Sequence, residues 1–291
     1  MYKRQIEDAH KHLATAAAAS EVLLVFWLAG LWLGPGRGWI AALLAAISPP
    51  MYSRLFLAMW PTLTGHTLDL LAIVAATTSV ARPGSVRNLA GFGLATLASL
   101  LAYVSSLFNL GAFAGTLSLL TRRISFISLW LAAAVVTVVT LYLPFLTEAI
   151  TQLWTSGLGA AGGRPSDGLL TALWRVSHFY GYVTIALAIP GIVILCRKTK
   201  PHVRLIVMSY LSSFAILLTL RAATGTFKDL KEILYVGPLM AIAAGVSLET
   251  VYKKGRIGKI ATVMMIAGLV LFWAIRYREF LEPHITFAGL P

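Results

Sequence analysis

The sequence has little cysteine, few acidic residues and none of the common hydrolase or nucleotide-binding motifs. One cysteine, Cys196, in 291 residues excludes an intrachain disulfide, and no Cys/His spacing typical of a zinc site occurs. The chain also lacks an HExxH motif, a Walker loop and a nucleophile elbow. The sequence therefore assigns no metal site, and no cofactor is evident from it.

Acidic residues are outnumbered, with 11 Asp and Glu against 24 Lys and Arg, which gives a formal net charge of +13. The cations gather at the ends of apolar runs, so we interpret them as determinants of membrane orientation, with no nucleic-acid partner. Under strict alternation of spans, the densest groups fall on one side, which the positive-inside rule predicts to be cytoplasmic. These groups are Arg37, Arg82, Arg87, Arg122, Arg123 and the runs at 197–204 and 253–259.

Apolar residues are abundant: they make up 58% of the sequence, whereas charged residues make up 12%, and the mean hydropathy is +0.80. They form ten stretches separated by short polar breaks. Backbone polar groups in lipid must be bonded internally, and these stretches are apolar on all faces, which excludes the alternation of a barrel. The sequence predicts an all-α fold, a polytopic transmembrane helical bundle of about ten membrane helices.

The domain organisation predicted from the sequence is one transmembrane domain over residues 6–291. The first five residues, Met1 to Gln5, resemble the peptide encoded by a sequencing-library adapter, and we expect them to be an artefact. On that interpretation the chain is a fragment of metagenomic type, and an upstream portion of the protein is missing.

Three ionisable residues fall inside predicted spans. His66 and Asp69 lie three residues apart, on one face of the third helix, and Glu21 lies midway along the first. Ionisable groups inside a membrane are costly and usually face a bundle interior or a wet cavity, which favours a functional site. The alternative is a buried hydrogen-bonded pair that only fixes helix packing.

A second set of candidates lies on the predicted outer side. Arg221, Lys228 and Lys231 precede a span that carries Tyr235, and Arg54 follows an earlier span. Several cations and a tyrosine near one surface form a plausible phosphate site. The alternatives are an anchor to lipid headgroups for Arg54 and a solvated helix start for the others.

Glu7 and Asp8 are weak candidates for a catalytic carboxylate pair. The simpler interpretation is a polar approach to the first helix.

Three regions resemble the GT-C superfamily of polytopic membrane glycosyltransferases, in its polyprenyl-phosphate-mannose and aminoarabinose-transferase-like branch. A short span ends in Ser48-Pro49 and is followed by Tyr52-Ser53-Arg54, and residues 91–120 are similar to the closely spaced helix pair of that family. The late charged segment before Tyr235 and Pro238 resembles the stretch that contacts the lipid-phosphate carrier.

The resemblance implies inverting transfer of a sugar from a polyprenyl-phosphate donor to an unknown acceptor on the extracytoplasmic face. Arg54, Arg221, Lys228 and Lys231 would neutralise the donor phosphate, and Tyr235 would add a hydrogen bond. An upstream carboxylate would act as general base. The family usually has an acidic residue shortly after the Ser-Arg pair, and this sequence has none there. The resemblance therefore does not define the donor chemistry, nor whether the full-length protein uses a divalent metal.

The expected location is an integral position in a bacterial cytoplasmic (inner) membrane, with membrane lipid and the lipid-linked donor as partners. Two other classes of protein fit the same sequence. A secondary transporter would explain the intramembrane carboxylates and histidine, although the repeats usual in transporters are not visible. A non-catalytic subunit of a membrane complex would explain the lack of a complete catalytic motif.

Overall fold

The fold is all-α, as the sequence predicts. The computed structural model describes residues 2–48, 60–103, 105–145, 147–148, 151, 168–224 and 234–287, and no strand occurs among them. Within these residues the chain forms eleven α-helices: α1 Tyr2–Leu33, α2 Trp39–Ala46, α3 Trp60–Ala81, α4 Val86–Ala102, α5 Ser106–Thr121, α6 Ser125–Thr137, α7 Gly168–Tyr180, α8 Tyr182–Lys198, α9 Pro201–Thr224, α10 Gly237–Tyr252 and α11 Arg256–Phe287.

Four helices contain segments that are long and apolar enough to cross a membrane, which indicates a membrane protein. These segments are His12–Leu33, Thr62–Ala81, Pro201–Leu220 and Arg256–Ile275. Three shorter apolar helices follow one another at Val86–Ala102, Ser106–Thr121 and Ser125–Leu141. Four helices of spanning length are fewer than the ten predicted, because the other described helices are short for a full crossing, from α2 with 8 residues to α4 and α8 with 17 each.

Helix α10 forms the centre of the bundle. Every residue from 238 to 248 is buried, as expected for a helix that is apolar on all faces. It packs mainly against α8, α2 and α11. A Cβ atom on Gly191 of α8 would lie 1.8 Å from the carbonyl oxygen of Ala243 in α10, so only glycine allows these two helices to approach so closely.

The apolar side chains of α11 lie largely on the surface of the described bundle. Val263 is 60% exposed, Met264 67% and Leu271 63%. Side chains of this kind are stable on an outer surface when lipid surrounds it, since the bilayer core is as apolar as they are. The exposure of α11 therefore agrees with its assignment as a membrane-spanning segment.

One end of the bundle carries a small charged group around Glu249. Its Oε1 atom lies 2.6 Å from Lys253 Nζ and 3.6 Å from Arg37 Nε. The rings of Trp39 and Tyr252 also meet here edge to face, with centroids 6.5 Å apart. The α1–α2 and α10–α11 connections thus lie at the same end, as the charge pattern requires for Arg37 and the run at 253–259.

Candidate polar site inside the bundle

Asp69 of α3 is the most deeply buried carboxylate in the described residues, with 1% of its surface exposed. Ser99 Oγ of α4 donates a hydrogen bond to Asp69 Oδ1 over 2.6 Å, and Asn109 Nδ2 of α5 donates to Oδ2 over 3.3 Å. An unpaired carboxylate in an apolar interior would be very costly, so these donors are what makes its burial tolerable.

Ser99 joins three helices at this point. Its Oγ atom lies 3.1 Å from the carbonyl oxygen of Gly65 in α3 and 2.9 Å from Ser106 Oγ at the start of α5. A hydroxyl has one hydrogen and two lone pairs, so Ser99 donates to Asp69 and accepts from Ser106. The helices meet here because only residues 103–105 connect α4 to α5.

His66 lies beside Asp69 on the same face of α3, as their spacing predicts. Its Nδ1 atom is 3.7 Å from Asp69 Oδ2, which is too long for a hydrogen bond and suits an ion pair only when the imidazole is protonated. The ring centroid lies 5.7 Å from that of Tyr103 and 6.2 Å from that of Tyr235. A histidine and a carboxylate this close can hold or exchange a proton.

Tyr235 connects this group to α9. It is 2% exposed, and its ring centroid is 4.9 Å from that of Tyr210. The Tyr210 hydroxyl donates a hydrogen bond to the backbone carbonyl oxygen of Tyr235. This bond fixes the start of the α10 segment against α9, so that the Tyr235 ring faces His66.

Glu21 of α1 belongs to the same region. It is 3% exposed, and its helix packs against α3, which carries His66 and Asp69. The intramembrane residues predicted from the sequence therefore share one interior region with Tyr235. We call it the polar cluster, and its members are Glu21, His66, Asp69, Ser99, Tyr103, Ser106, Asn109, Tyr210 and Tyr235.

Several predicted site residues lie outside what the structure describes. Arg54, Lys228 and Lys231 are not among the described residues. Arg221 lies in α9, but its side chain is not described. Convergence of Arg54, Lys228 and Lys231 with Tyr235 on one outer-facing cavity therefore stays a prediction, and Tyr235 is the residue of that set whose position the structure describes.

The predicted carboxylates near the start of the chain also lack a described environment. Glu7 and Asp8 lie in α1, and their side chains are not described. Their proposed catalytic role stays a prediction as well.

The polar cluster contains residues that sequence reasoning missed. Ser99, Ser106, Asn109, Tyr103 and Tyr210 were not among the candidates, although small polar residues inside apolar helices are a usable signal. Ser99 and Asn109 flank the short α4–α5 connection and could have been found by asking which polar side chains share one end of a helix pair.

No group of three or more His, Cys, Asp or Glu side chains that could hold a metal ion occurs among the described residues. No protein-family model matches the chain, and no curated protein matches it with significant sequence similarity.

Proposed function

We propose that the chain is the membrane region of a glycosyltransferase that takes a sugar from a polyprenyl-phosphate donor on the extracytoplasmic face. The observation that carries the proposal is the position of Tyr235. It follows directly on the cationic segment that contains Lys228 and Lys231, and its ring is buried 6.2 Å from His66. A cationic segment that is followed in sequence by a residue of a buried polar cluster suits a ligand with an anionic headgroup.

The proposed topology has ten crossings, formed by every helix except α7. The polar cluster lies near the start of α3, the end of α4 and the starts of α5 and α10. The Glu249 group lies at the end of α10, so the two groups occupy opposite ends of the bundle. With the Glu249 end in the cytoplasm, the polar cluster is directed toward the outer face of a bacterial inner membrane.

The chemistry divides between the cations and the cluster. Lys228 and Lys231, together with Arg221 and Arg54, would neutralise the donor phosphate as the sugar leaves it, because fixed positive charge stabilises the developing anion. Tyr235 would position the donor between these cations and the polar cluster. According to the resemblance, an upstream carboxylate would act as general base, and Glu7 and Asp8 are weak candidates for this role. The resemblance does not define whether a divalent metal takes part.

Binding of the carrier lipid tests this proposal on the chain as it stands. Purified protein is titrated with undecaprenyl phosphate, and binding is followed by intrinsic tryptophan fluorescence. We expect the double variant Lys228→Ala, Lys231→Ala to bind at least about tenfold more weakly, since each charge-assisted hydrogen bond contributes roughly 1.5–3 kcal/mol. The matched control is Lys198→Ala, Lys200→Ala, which removes two cations near the end of α8. Equal affinity of the two double variants would refute the carrier site.

A proton-coupled or ion-coupled secondary transporter is the second candidate. The observation in its favour is that Glu21, His66 and Asp69 are all buried in the bundle interior. Reconstituted protein distinguishes the two, because a transporter moves solute into vesicles under an ion gradient without any lipid-linked sugar. Undecaprenyl phosphate would then have no specific effect.

A further inference from the structure

We propose that the Glu249 end of the bundle binds one anionic phospholipid of the phosphatidylglycerol class. The lipid phosphate contacts cations at the start of α11 and in the connections beside it, and the acyl chains lie along α11. We call this surface the headgroup site, and its residues are Arg37, Trp39, Tyr252, Lys254, Arg256 and Lys259. The site does not depend on the proposed glycosyl transfer, because it lies at the end of the bundle opposite the polar cluster.

Positive charge at this end exceeds negative charge. Residues 33–48 and 248–263 contain Glu249 as their only acidic residue, and their five cations are Arg37, Lys253, Lys254, Arg256 and Lys259. Glu249 contacts Arg37 and Lys253. The other three cations are exposed and pair with no carboxylate in the described part of the chain. Unpaired Lys and Arg side chains at a membrane surface attract anionic lipid, so the charge of the site fits an anionic headgroup.

Packing holds part of the headgroup site in place. Lys259 Nζ lies 5.6 Å from the ring centroid of Tyr252, which is a cation–π distance, and the Trp39 ring meets the same tyrosine edge to face. A Cβ atom at Gly258 would collide with the carbonyl oxygen of Val251, so the start of α11 packs directly on the end of α10. Because these groups are already ordered, less conformational entropy is lost on binding.

The headgroup site lies at the depth of lipid headgroups. One segment of spanning length ends at Leu33, shortly before Arg37, and another begins at Arg256. Trp39 lies between these two ends and is 49% exposed. Indole rings are enriched at the border between headgroups and acyl chains, so the exposed ring suits this depth.

An exposed apolar face of α11 continues from the headgroup site into the membrane. Ile260, Met264 and Leu271 are exposed on the face that also carries Arg256, because residues spaced by four and seven along a helix are neighbours. A cation followed by an apolar face matches a phosphate followed by acyl chains. A soluble phosphate would match the cations alone, and we therefore assign the site to a lipid.

Thermal unfolding of the purified chain in a neutral detergent tests the proposal, because a ligand that binds only the folded state raises Tm in a saturable manner. Dioleoyl phosphatidylglycerol and dioleoyl phosphatidylcholine are titrated separately at constant ionic strength. We expect phosphatidylglycerol to raise Tm with saturation and phosphatidylcholine to have no such effect. An equal response to the two lipids would overturn the proposal, because it would show that the anionic headgroup is not recognised.

Double variants locate the site. Arg256→Gln, Lys259→Gln should raise the phosphatidylglycerol concentration at half-maximal response at least about tenfold, because two cations near the phosphate are lost. The matched control is Lys198→Gln, Lys200→Gln, which removes two exposed cations at the α8–α9 connection and should respond like the unmodified chain. Equal weakening in both proteins would indicate diffuse charge attraction and refute a localised site.

The proposed carrier site is separated from the headgroup site by the variant Lys228→Ala, Lys231→Ala. It should keep the full phosphatidylglycerol response, whatever its affinity for undecaprenyl phosphate. If this variant loses the response and Arg256→Gln, Lys259→Gln keeps it, phosphatidylglycerol binds elsewhere and the headgroup site is ruled out.

Soluble phosphates distinguish a lipid from a free anion. Inorganic phosphate and glycerol 3-phosphate should leave Tm at the value in NaCl of equal ionic strength, since neither has acyl chains to contact α11. A saturable rise with either compound would assign the site to a soluble anion and overturn the lipid proposal.

A direct measurement on the unmodified protein avoids variants that fail to fold. In native mass spectrometry with both phospholipids at equal concentration, the chain should retain one molecule of phosphatidylglycerol in preference to phosphatidylcholine. Equal retention of the two lipids would refute the proposal.

Discussion

The Ser99 hydroxyl lies 2.6 Å from Asp69 Oδ1, which makes it the closest link between α4 and the buried carboxylate of α3. Thirty positions separate the two residues in the chain. Their bond is short because one partner is a carboxylate, and charge-assisted hydrogen bonds are both shorter and stronger than neutral ones. The stability of the bundle should therefore respond more to this serine than to any exposed hydroxyl.

Ser99→Ala removes one donor from Asp69 and leaves a buried carboxylate oxygen poorly satisfied. We expect a loss of about 1–3 kcal/mol in the free energy of unfolding, measured by SDS titration in mixed micelles. The matched control is Thr140→Ala, because Thr140 is exposed and its hydroxyl bonds the carbonyl of its own helix. Equal stability of the two variants would show that the Ser99 bond contributes nothing.

Gly65 lets Tyr103 approach α3, since a Cβ atom at Gly65 would lie 2.3 Å from the Cβ atom of Tyr103. Gly65→Ala should therefore cost about 1–3 kcal/mol of stability and displace the tyrosine from His66. Gly91→Ala is the control, because its new methyl group would meet nothing nearer than 4.0 Å. That substitution should stabilise the helix by roughly 0.5–1 kcal/mol. Equal melting temperatures for the two proteins would contradict the predicted crowding.

Substitution of Gly191 should be tolerated less well than substitution of Gly65, because a Cβ atom at Gly191 would meet backbone atoms. The carbonyl oxygen of Ala243 lies 1.8 Å from that position and cannot turn away as a side chain would. Gly191→Ala should force α8 away from α10 and lower the yield of folded protein in size-exclusion chromatography. Gly115→Ala, with its nearest contact at 4.0 Å, should behave like the unmodified chain. A normal yield for the Gly191 variant would mean that the two helices are less closely packed.

The proposed orientation predicts which positions an impermeant thiol reagent reaches in intact cells. Lys200→Cys and Lys254→Cys, each in a Cys196→Ser background, should be labelled only after the cells are broken, because both residues are exposed at the proposed cytoplasmic end. Leu170→Cys is the control for the outer side, since Leu170 is 84% exposed on α7. Labelling of positions 200 and 254 in intact cells would reverse the orientation.

Local signals in the sequence determined the helices themselves. The apolar stretches separated by short polar breaks predict separate helices, and two of them occur as Val86–Ala102 and Ser106–Thr121. The all-α fold followed from apolar runs that are continuous on every face, because such runs satisfy their backbone groups only as helices. The spacing of His66 and Asp69 also predicted that they share one face, since residues three apart in a helix are neighbours.

Tertiary packing alone decided what surrounds that pair. Nothing in the spacing along the chain indicates that Ser99 and Asn109 bond Asp69, or that Tyr210 holds Tyr235 beside His66. Those contacts depend on which faces of α3, α4, α5 and α9 pack against one another. An apolar helix has several faces of nearly equal hydrophobicity, so its pattern does not select its neighbours. The selection comes from side-chain shape and from the need of each buried polar group for a partner, which only the assembled bundle satisfies.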